Sequence, residues 1–489
     1  MTQKKETTVL LLSLLITVGA IAGGLLWFKK DNPSQVSAPP DTSTTSSRSA
    51  AGRLSTGEKI LISQDITLEK QAGVTAFAAG DYPQAVAKLS ASLQKQRNDP
   101  EALIYLNNAR IANNKAYSIV VPTPIGSEVT TAKEILRGVA QAQTEINKSG
   151  GINGIPLKIA IANDDNDPET AKKLAQTFAD NPDILGVVGH FASNISVAAA
   201  PVYQKNGLVA ISPTSTTVSL SGAGDYIFRT VPSDLFTTKA LAKYFLEKLI
   251  KQKAAIFYNS TSEYSNSIKN AFTTELLSNG GDIVAESDFA AANFNPANAV
   301  QQAIDQGAEA LVFLTNSTTL DQAFLVAQVN NRQLPLLSGD SIYKPQTLQI
   351  AGKNVVGMVV AVPWHAQGKN NNPGFSQAAS RLWGGNVNWR TAMAYDATQS
   401  LIAGIKANPS RQGIQQILSK AGFSTTGASG TIKFLPSGDR NQAVQLVKVE
   451  VDPNSEFGYT FIPYMKAIVV KVQPGQKSGT GYDFVNIKP

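Results

Sequence analysis

From residue 117 to about residue 452 the chain alternates short apolar runs with amphipathic stretches of helical period, and no other feature restricts its fold as strongly. The apolar runs include 118–121, 157–161, 184–188, 208–211, 254–258, 310–314 and 355–362. Between several of them, the segments 132–147, 169–178 and 237–248 repeat apolar residues at helical spacing. Strand and helix in alternation mean an α/β fold, with parallel sheets covered by helices. About 330 residues exceed one comfortable core, so two α/β lobes are expected, with a cleft between them for a small ligand.

Inside this region the stretch 189–216, GHFASNISVAAAPVYQKNGLVAISPTST, reads as a βαβ crossover with two polar loops side by side. Loops that follow the carboxyl ends of parallel strands open onto one sheet edge, where ligands bind. Ser193 and Asn194 sit where N-cap residues belong, so the free N–H groups and positive dipole end of the next helix would face that crevice. Thr214, Ser215 and Thr216 add hydroxyls from the neighbouring loop, and the set suits a carboxylate or another small anion. The same residues would serve equally to cap a helix and fill a turn.

Composition removes several function classes. The 489 residues suggest about three structural units at roughly 150 residues each. The formal charge of +7 comes from scattered lysines rather than a basic stripe interleaved with aromatics, which gives nucleic-acid binding no support. No cysteine is present, which excludes disulfides, thiol catalysis and Cys-based zinc sites. With only two histidines, His190 and His365, a Ser/His/Asp triad or multi-His metal site would have to use one or both. A Rossmann-type GxGxxG after the first strand and a P-loop are also missing, so no enzyme and no cofactor is expected.

Residues 9–28 form an uncharged run of twenty between Lys4/Lys5 and Lys29/Lys30. That is long enough to span a bilayer, so 1–30 is expected to be a retained single-pass anchor. The rival is a signal peptide cleaved after Ala20-Ile21-Ala22. Residues 31–65, rich in Ser, Thr and Pro near their start, are expected to be a disordered linker. Residues 66–115 turn helical and resemble a tetratricopeptide repeat, with GDYPQA at the inter-helix turn and Gly73 and Asn107 one repeat period apart. Two readings stand for it: a helical spacer packed on the next domain, or a dock for a protein partner. Residues 453–489 form a C-terminal extension that adds an edge strand or trails.

Several segments line up, in order, with one family. They are LRGVAQAQTEINKSGGINGIPLKIAIANDDNDPETA at 136–171, GVVGHFASNISVAAAPVYQKNGLVAISPTST at 186–216, YIFRTVPSDLFTTKALAKYF at 226–245, NSTSEYSNSIKNAF at 259–272 and AMAYDATQSLIAGI at 392–405. Together they resemble the type I periplasmic binding proteins of the Leu/Ile/Val-binding type, which serve branched-chain amino-acid and related ABC importers. The resemblance implies two Rossmann-like lobes within 116–452, joined by crossovers near 231–233, 362–364 and 424–430. Lobe 1 would be about 116–231 with 364–424, and lobe 2 about 233–362 with 430–452. It further implies an extracytoplasmic, periplasmic location, a small polar ligand such as an amino acid, and an ABC permease as partner.

On the matching positions, Ser193 and the loop 214–216 would hold a ligand carboxylate. Asp340, in LLSGDSIYK, would take the ligand ammonium with Tyr264 beside it. Each has an ordinary structural alternative, a turn residue for Asp340 and surface packing for Tyr264. Thr315-Asn316-Ser317 replaces residues that tend to be aromatic in branched-chain binders, and Arg390 falls near a position that often carries an apolar ring. These departures weaken a leucine-like ligand and open a polar or acidic one. His190 is expected to be structural, with no base or nucleophile paired to it, and Asp164-Asp165-Asn166-Asp167 to be a solvated helix-capping turn rather than a calcium loop. The fused helical segment leaves a second functional reading, a membrane-tethered sensor passing occupancy to a partner protein.

Overall fold

The structure is a computed structural model that describes residues 50–464 apart from Asn370. The expected anchor at 1–30, the first part of the linker and the end of the C-terminal extension lie outside the described residues. Among the described residues no helix is long and apolar enough to cross a membrane.

A short strand β1 (Leu54–Ser55) is followed by three helices, α1 (Leu68–Ala78), α2 (Tyr82–Lys95) and α3 (Pro100–Ile111). Their starts are written locally: Thr67, Asp81 and Asp99 each accept a hydrogen bond from the amide three residues on. Lobe 1 then runs β2 (Tyr117–Thr123), α4 (Val129–Lys148), β3 (Leu157–Asn163), α5 (Pro168–Asp180), β4 (Ile184–Val188), α6 (Ser193–Lys205), β5 (Ala210–Ser212) and β6 (Ile227–Arg229). Lobe 2 follows with α7 (Asp234–Glu247), β7 (Lys253–Tyr258), α8 (Glu263–Ser278), β8 (Asp282–Asp288), α9 (Pro296–Asp305), β9 (Ala310–Leu314), α10 (Leu320–Asn330), β10 (Leu336–Ser338) and β11 (Val359–Val362). The chain returns to lobe 1 for α11 (Pro373–Trp383), α12 (Trp389–Ala407), α13 (Arg411–Leu418) and a small hairpin, β12 (Thr425–Gly427) with β13 (Gly430–Ile432). It ends in lobe 2 with β14 (Gln445–Val451) and β15 (Tyr459–Pro463).

The lobe 1 sheet has the order β1-β3-β2-β4-β5-β6 and is parallel except for the edge strand β1. The lobe 2 sheet has the order β15-β14-β11-β10-β9-β7-β8, parallel from β11 to β8. Within each lobe the first strand lies between the second and third, so the strand order reverses there. Doubly wound sheets open a crevice at such a reversal, outside the carboxyl ends of the strands. Apolar clusters cover both faces of each sheet. At Gly138, α12 crosses α4 so closely that a Cβ would lie 2.1 Å from the carbonyl oxygen of Thr391.

Two boundaries differ from the sequence reading. Residues 54–55, placed in the linker, instead pair with Ile161 and Ala162 at the edge of the lobe 1 sheet. The third passage between lobes comes after Arg440 rather than at 424–430. The reason is that Asp396 of α12, fully buried, accepts from the Ala428 amide and the Ser429 hydroxyl and keeps the hairpin on lobe 1. Of the two alternatives for the stretch after 452, an edge strand or a trailing end, part of it takes the first, as strand β15 at the edge of the lobe 2 sheet antiparallel to β14.

The helices α1–α3 are built into lobe 1. Val74, Phe77, Leu89 and Leu103 share one apolar cluster with Val139 of α4 and Leu401 of α12. Asn108 donates to the Ile159 carbonyl at 2.7 Å and accepts from its amide at 3.2 Å, pairing with β3 as a neighbouring strand would. Lys70, 1% exposed, lies 2.7 Å from both Asp99 and Glu101. Glu101 also accepts from the amides of Leu61 and Ile62 and so ties the incoming chain to α3. This is the arrangement of a spacer packed on the next domain.

Candidate functional site

Loops after the carboxyl ends of β2, β3, β4, β5, β7, β9 and β10 meet across the two lobes around a cavity of about 230 Å³. Lobe 1 contributes Glu128, Asn166, Phe191, Ser193, Asn194, Thr214, Trp389 and Arg390 to its lining. Lobe 2 contributes Thr261, Ser262, Tyr264, Asn316, Ser317, Thr318, Asp340 and Ser341.

The lobe 1 wall is the amino end of α6. Its N-cap is Ala192, with φ −84° and ψ 149°, and no side chain caps the helix. Ser193 is therefore the first helical residue rather than the cap, since the extended backbone ends one position earlier than the residue types suggested. The consequence is favourable for a ligand. The amides of Ser193 and Asn194 have no backbone acceptor among the described residues, and the hydroxyl of Ser193, 2% exposed, has no partner there. These are the donors left over at any helix start, together with the positive end of the dipole.

The second loop supports this wall more than it lines it. Thr214 lines the cavity but donates its hydroxyl proton to the Phe191 carbonyl at 2.7 Å, which leaves that hydroxyl only its acceptor capacity for a ligand. Ser215 is fully buried behind it, 2.7 Å from the Ser196 hydroxyl. Thr216 is likewise buried and outside the lining. The loop is held from below by Arg229, which donates to the carbonyls of Ser215 at 3.3 Å and Thr217 at 2.6 Å and to the Asp439 carboxylate at 2.6 Å.

On lobe 2, the Tyr264 hydroxyl donates to Asp340 Oδ1 at 2.8 Å, and both line the cavity. Asp340 is 5% exposed and has no ion pair among the described residues. Burial pushes its carboxyl above the ordinary aspartate range, while the Tyr264 hydroxyl and the Arg390 guanidinium pull it back. A buried carboxylate with no cation at ion-pair distance is poised for one supplied from outside. The polar loop that replaces the expected aromatics also reaches the cavity through Asn316, Ser317 and Thr318, while Thr315 is fully buried beneath it.

His190 differs from the reading that left it unpaired. Its Nδ1 lies 2.7 Å from Asp164 Oδ2 and its Nε2 2.9 Å from the Tyr203 hydroxyl, and all three side chains are buried. The partners are 26 and 13 residues away, too far for local spacing to show. The His190 carbonyl accepts from Ser212 at 2.9 Å, so the residue organises the loop behind the cavity from outside it. Around it the acidic turn divides its labour. Asp167 caps α5, Asp165 pairs with Arg53, and Asn166 lines the cavity. Asp164 is buried rather than solvated, and among the described residues no His/Cys/Asp/Glu cluster could hold a metal ion. Glu128, Asn166 and Trp389 were missed by sequence reasoning, although Trp389 directly precedes Arg390.

Asp234 opens α7 where the chain first enters lobe 2. It is enclosed completely, accepts from the Ser267 hydroxyl at 2.6 Å, and donates its amide to Thr216 O at 2.9 Å. Burial raises its carboxyl from 3.8 to about 7, against the Ser267 bond. The folded state thus holds a proton that the unfolded chain releases near pH 4. Its contribution to stability is full below that point and is lost as pH rises toward about 7. Asp234→Asn should therefore flatten the pH dependence of stability. At pH 8 it should be about 2 kcal/mol more stable than the parent, roughly half the full shift at about 1.4 kcal/mol per unit, because the enclosure relaxes around a charge. Urea denaturation at pH 5 and pH 8 checks it, and an unchanged difference between the two pH values would contradict it.

With this geometry in place, comparisons with known proteins are informative. The model of a family described as periplasmic binding protein matches residues 119–454. An amino acid binding protein of Pseudomonas aeruginosa is 30% identical over 152 residues, covering 31% of this chain and 40% of that protein. The Leu/Ile/Val-binding protein homolog 1 of Brucella abortus is 27% identical over 244 residues, 48% of this chain and 63% of the relative. This chain thus spans less than two thirds of either relative. The Leu/Ile/Val-binding protein of Escherichia coli is 26% identical over 272 residues, 55% of this chain and 73% of the relative. Among solved structures, an ABC transporter substrate-binding protein from Desulfitobacterium hafniense is 26% identical with a TM-score of 0.61, covering 71% of this chain and 100% of that one. A leucine binding protein from Thermotoga maritima, at 20% identity and a TM-score of 0.62 over 71% of this chain and 98% of its own, shares the fold.

Proposed function

That this chain belongs to the periplasmic binding protein family, matched over residues 119–454, is the premise from which we propose that it is an extracytoplasmic solute-binding protein that captures an amino acid between its lobes. The observation that carries this reading is a clamp of opposite polarity around one cavity. Free amides and the Ser193 hydroxyl at the start of α6 stand on lobe 1, and the Tyr264–Asp340 pair stands on lobe 2. An α-carboxylate placed on the first and an ammonium on the second would bridge the lobes, and such charge-assisted contacts are the strong ones available to a polar ligand. Lobe closure over that ligand reports occupancy to an ABC permease, the partner for which such a clamp delivers solute. The names of the Pseudomonas and Escherichia relatives, both amino-acid binders, agree with this. The apolar run 9–28 would tether the domain to the membrane. The helices α1–α3 lend the sensor reading no separate docking unit, since they share the core of lobe 1.

Titration calorimetry of the full chain against a panel of α-amino acids, with amines and carboxylates that carry only one of the two charges as controls, tests the proposal. At least one zwitterion should bind and the single-charge controls should not. The absence of heat with every zwitterion would overturn it.

A further inference from the structure

Resting on that reading, the cavity also carries a feature that the clamp does not use. Arg390, at the start of α12, lines the cavity yet is 2% exposed. Its guanidinium lies 4.4 Å over the Trp389 ring, which holds the plane of the group. Among the described residues Glu134 is its one carboxylate at ion-pair distance, 3.5 Å from a single terminal nitrogen, and Arg390 Nε is buried without an acceptor. A guanidinium presents a planar fork of donors suited to a carboxylate taken through two nitrogens, and here that fork is incompletely filled.

The surrounding charges leave a place for one more anion. Glu134 already accepts from Asn388 and lies close enough to Arg137 to favour that residue's charged form. Glu128 is 3.5 Å from Lys344, whose ammonium also donates to the Ser317 hydroxyl at 3.1 Å. Among the residues that line the cavity Arg390 is the one cation, and its single carboxylate partner, Glu134, is shared with Asn388 and Arg137. The facing loop, Asn316–Ser317–Thr318, offers polar groups where a greasy side chain would need apolar ones.

We propose that Arg390 is a specificity-determining residue and that the ligand is an acidic α-amino acid whose side-chain carboxylate docks on its guanidinium. Discrimination should be sharp, because a neutral side chain would leave the buried Arg390 donors unpaired.

Calorimetry of the full chain against aspartate, glutamate, asparagine, glutamine and leucine decides it. An acidic member should bind at least about tenfold more tightly than its own amide, the margin expected for a charge-assisted pair. Arg390→Met should erase that preference, the acidic member losing its advantage of at least about tenfold over its own amide. Arg390→Lys, which keeps the charge but not the fork, should retain part of it, and circular dichroism of both variants establishes that they fold. Amides or leucine binding as well as the acids to the parent chain would overturn this inference and leave the amino-acid reading intact. No binding by any of the five would overturn this inference, while the wider panel of α-amino acids decides the reading it rests on.

Discussion

Replacing Asp340 with alanine should weaken binding of the preferred amino acid by more than tenfold, an expected loss of about 2–5 kcal/mol. The size follows from the enclosure. Asp340 is buried, forms no ion pair among the described residues, and its side-chain hydrogen-bond donor is Tyr264 at 2.8 Å. A ligand ammonium arriving there would fill the remaining acceptor capacity in a setting where water screens little. Without the carboxylate that ammonium would be desolvated and unpaired. Tyr264→Phe should cost less, about 1 kcal/mol, because it removes one neutral donor and leaves the charge. Both variants should fold, since neither breaks an ion pair within the chain. Calorimetry against the parent's preferred ligand checks the pair, and unchanged affinity in Asp340→Ala would remove that residue from the site.

The second large effect concerns the fold under the site. Arg229→Met should destabilise lobe 1 by about 3–5 kcal/mol, the range for stranding one partner of a buried ion pair. Arg229 is 1% exposed and joins Asp439 to the carbonyls of Ser215 and Thr217 and to the Ser221 hydroxyl. Methionine fills the space but leaves the Asp439 carboxylate and two carbonyls without their donor. Trp364, Trp383 and Trp389, three of the four tryptophans, sit in the apolar cluster of lobe 1, so the change in tryptophan fluorescence during urea denaturation follows mainly this lobe. A midpoint equal to that of the parent would show that the loop stands without Arg229.

These two residues differ in how far the sequence reveals them. The alternation of strands and helices, and hence two doubly wound lobes, is written in periodicity and is legible without a structure. Asp340 and Tyr264 entered only through the resemblance to the family, and the fold brings both to one cavity. Arg229 was not legible, because its partner Asp439 is 210 residues away. The same limit hid the pairing of His190 with Asp164, and that of Lys70 with Asp99 and Glu101, which ties α1 to the start of α3. The reading of Ser193 as a cap missed by one position, because an extended Ala192 can end the loop as well as a serine can. The third passage between lobes was displaced by Asp396, whose hold on Ala428 and Ser429 no local pattern announces.

The central claim is that one ligand is gripped at its carboxylate by lobe 1 and at its ammonium by lobe 2. The most direct measurement takes the amino acid that binds best and compares its affinity with those of its carboxamide and its N-acetyl derivative, each altering one of the two groups. Both derivatives should bind more than about tenfold more weakly than the parent amino acid, since each leaves buried polar groups of one lobe unpaired. Full affinity in either derivative would contradict the clamp, because the lobe that faces the altered group would then contribute nothing to holding the ligand.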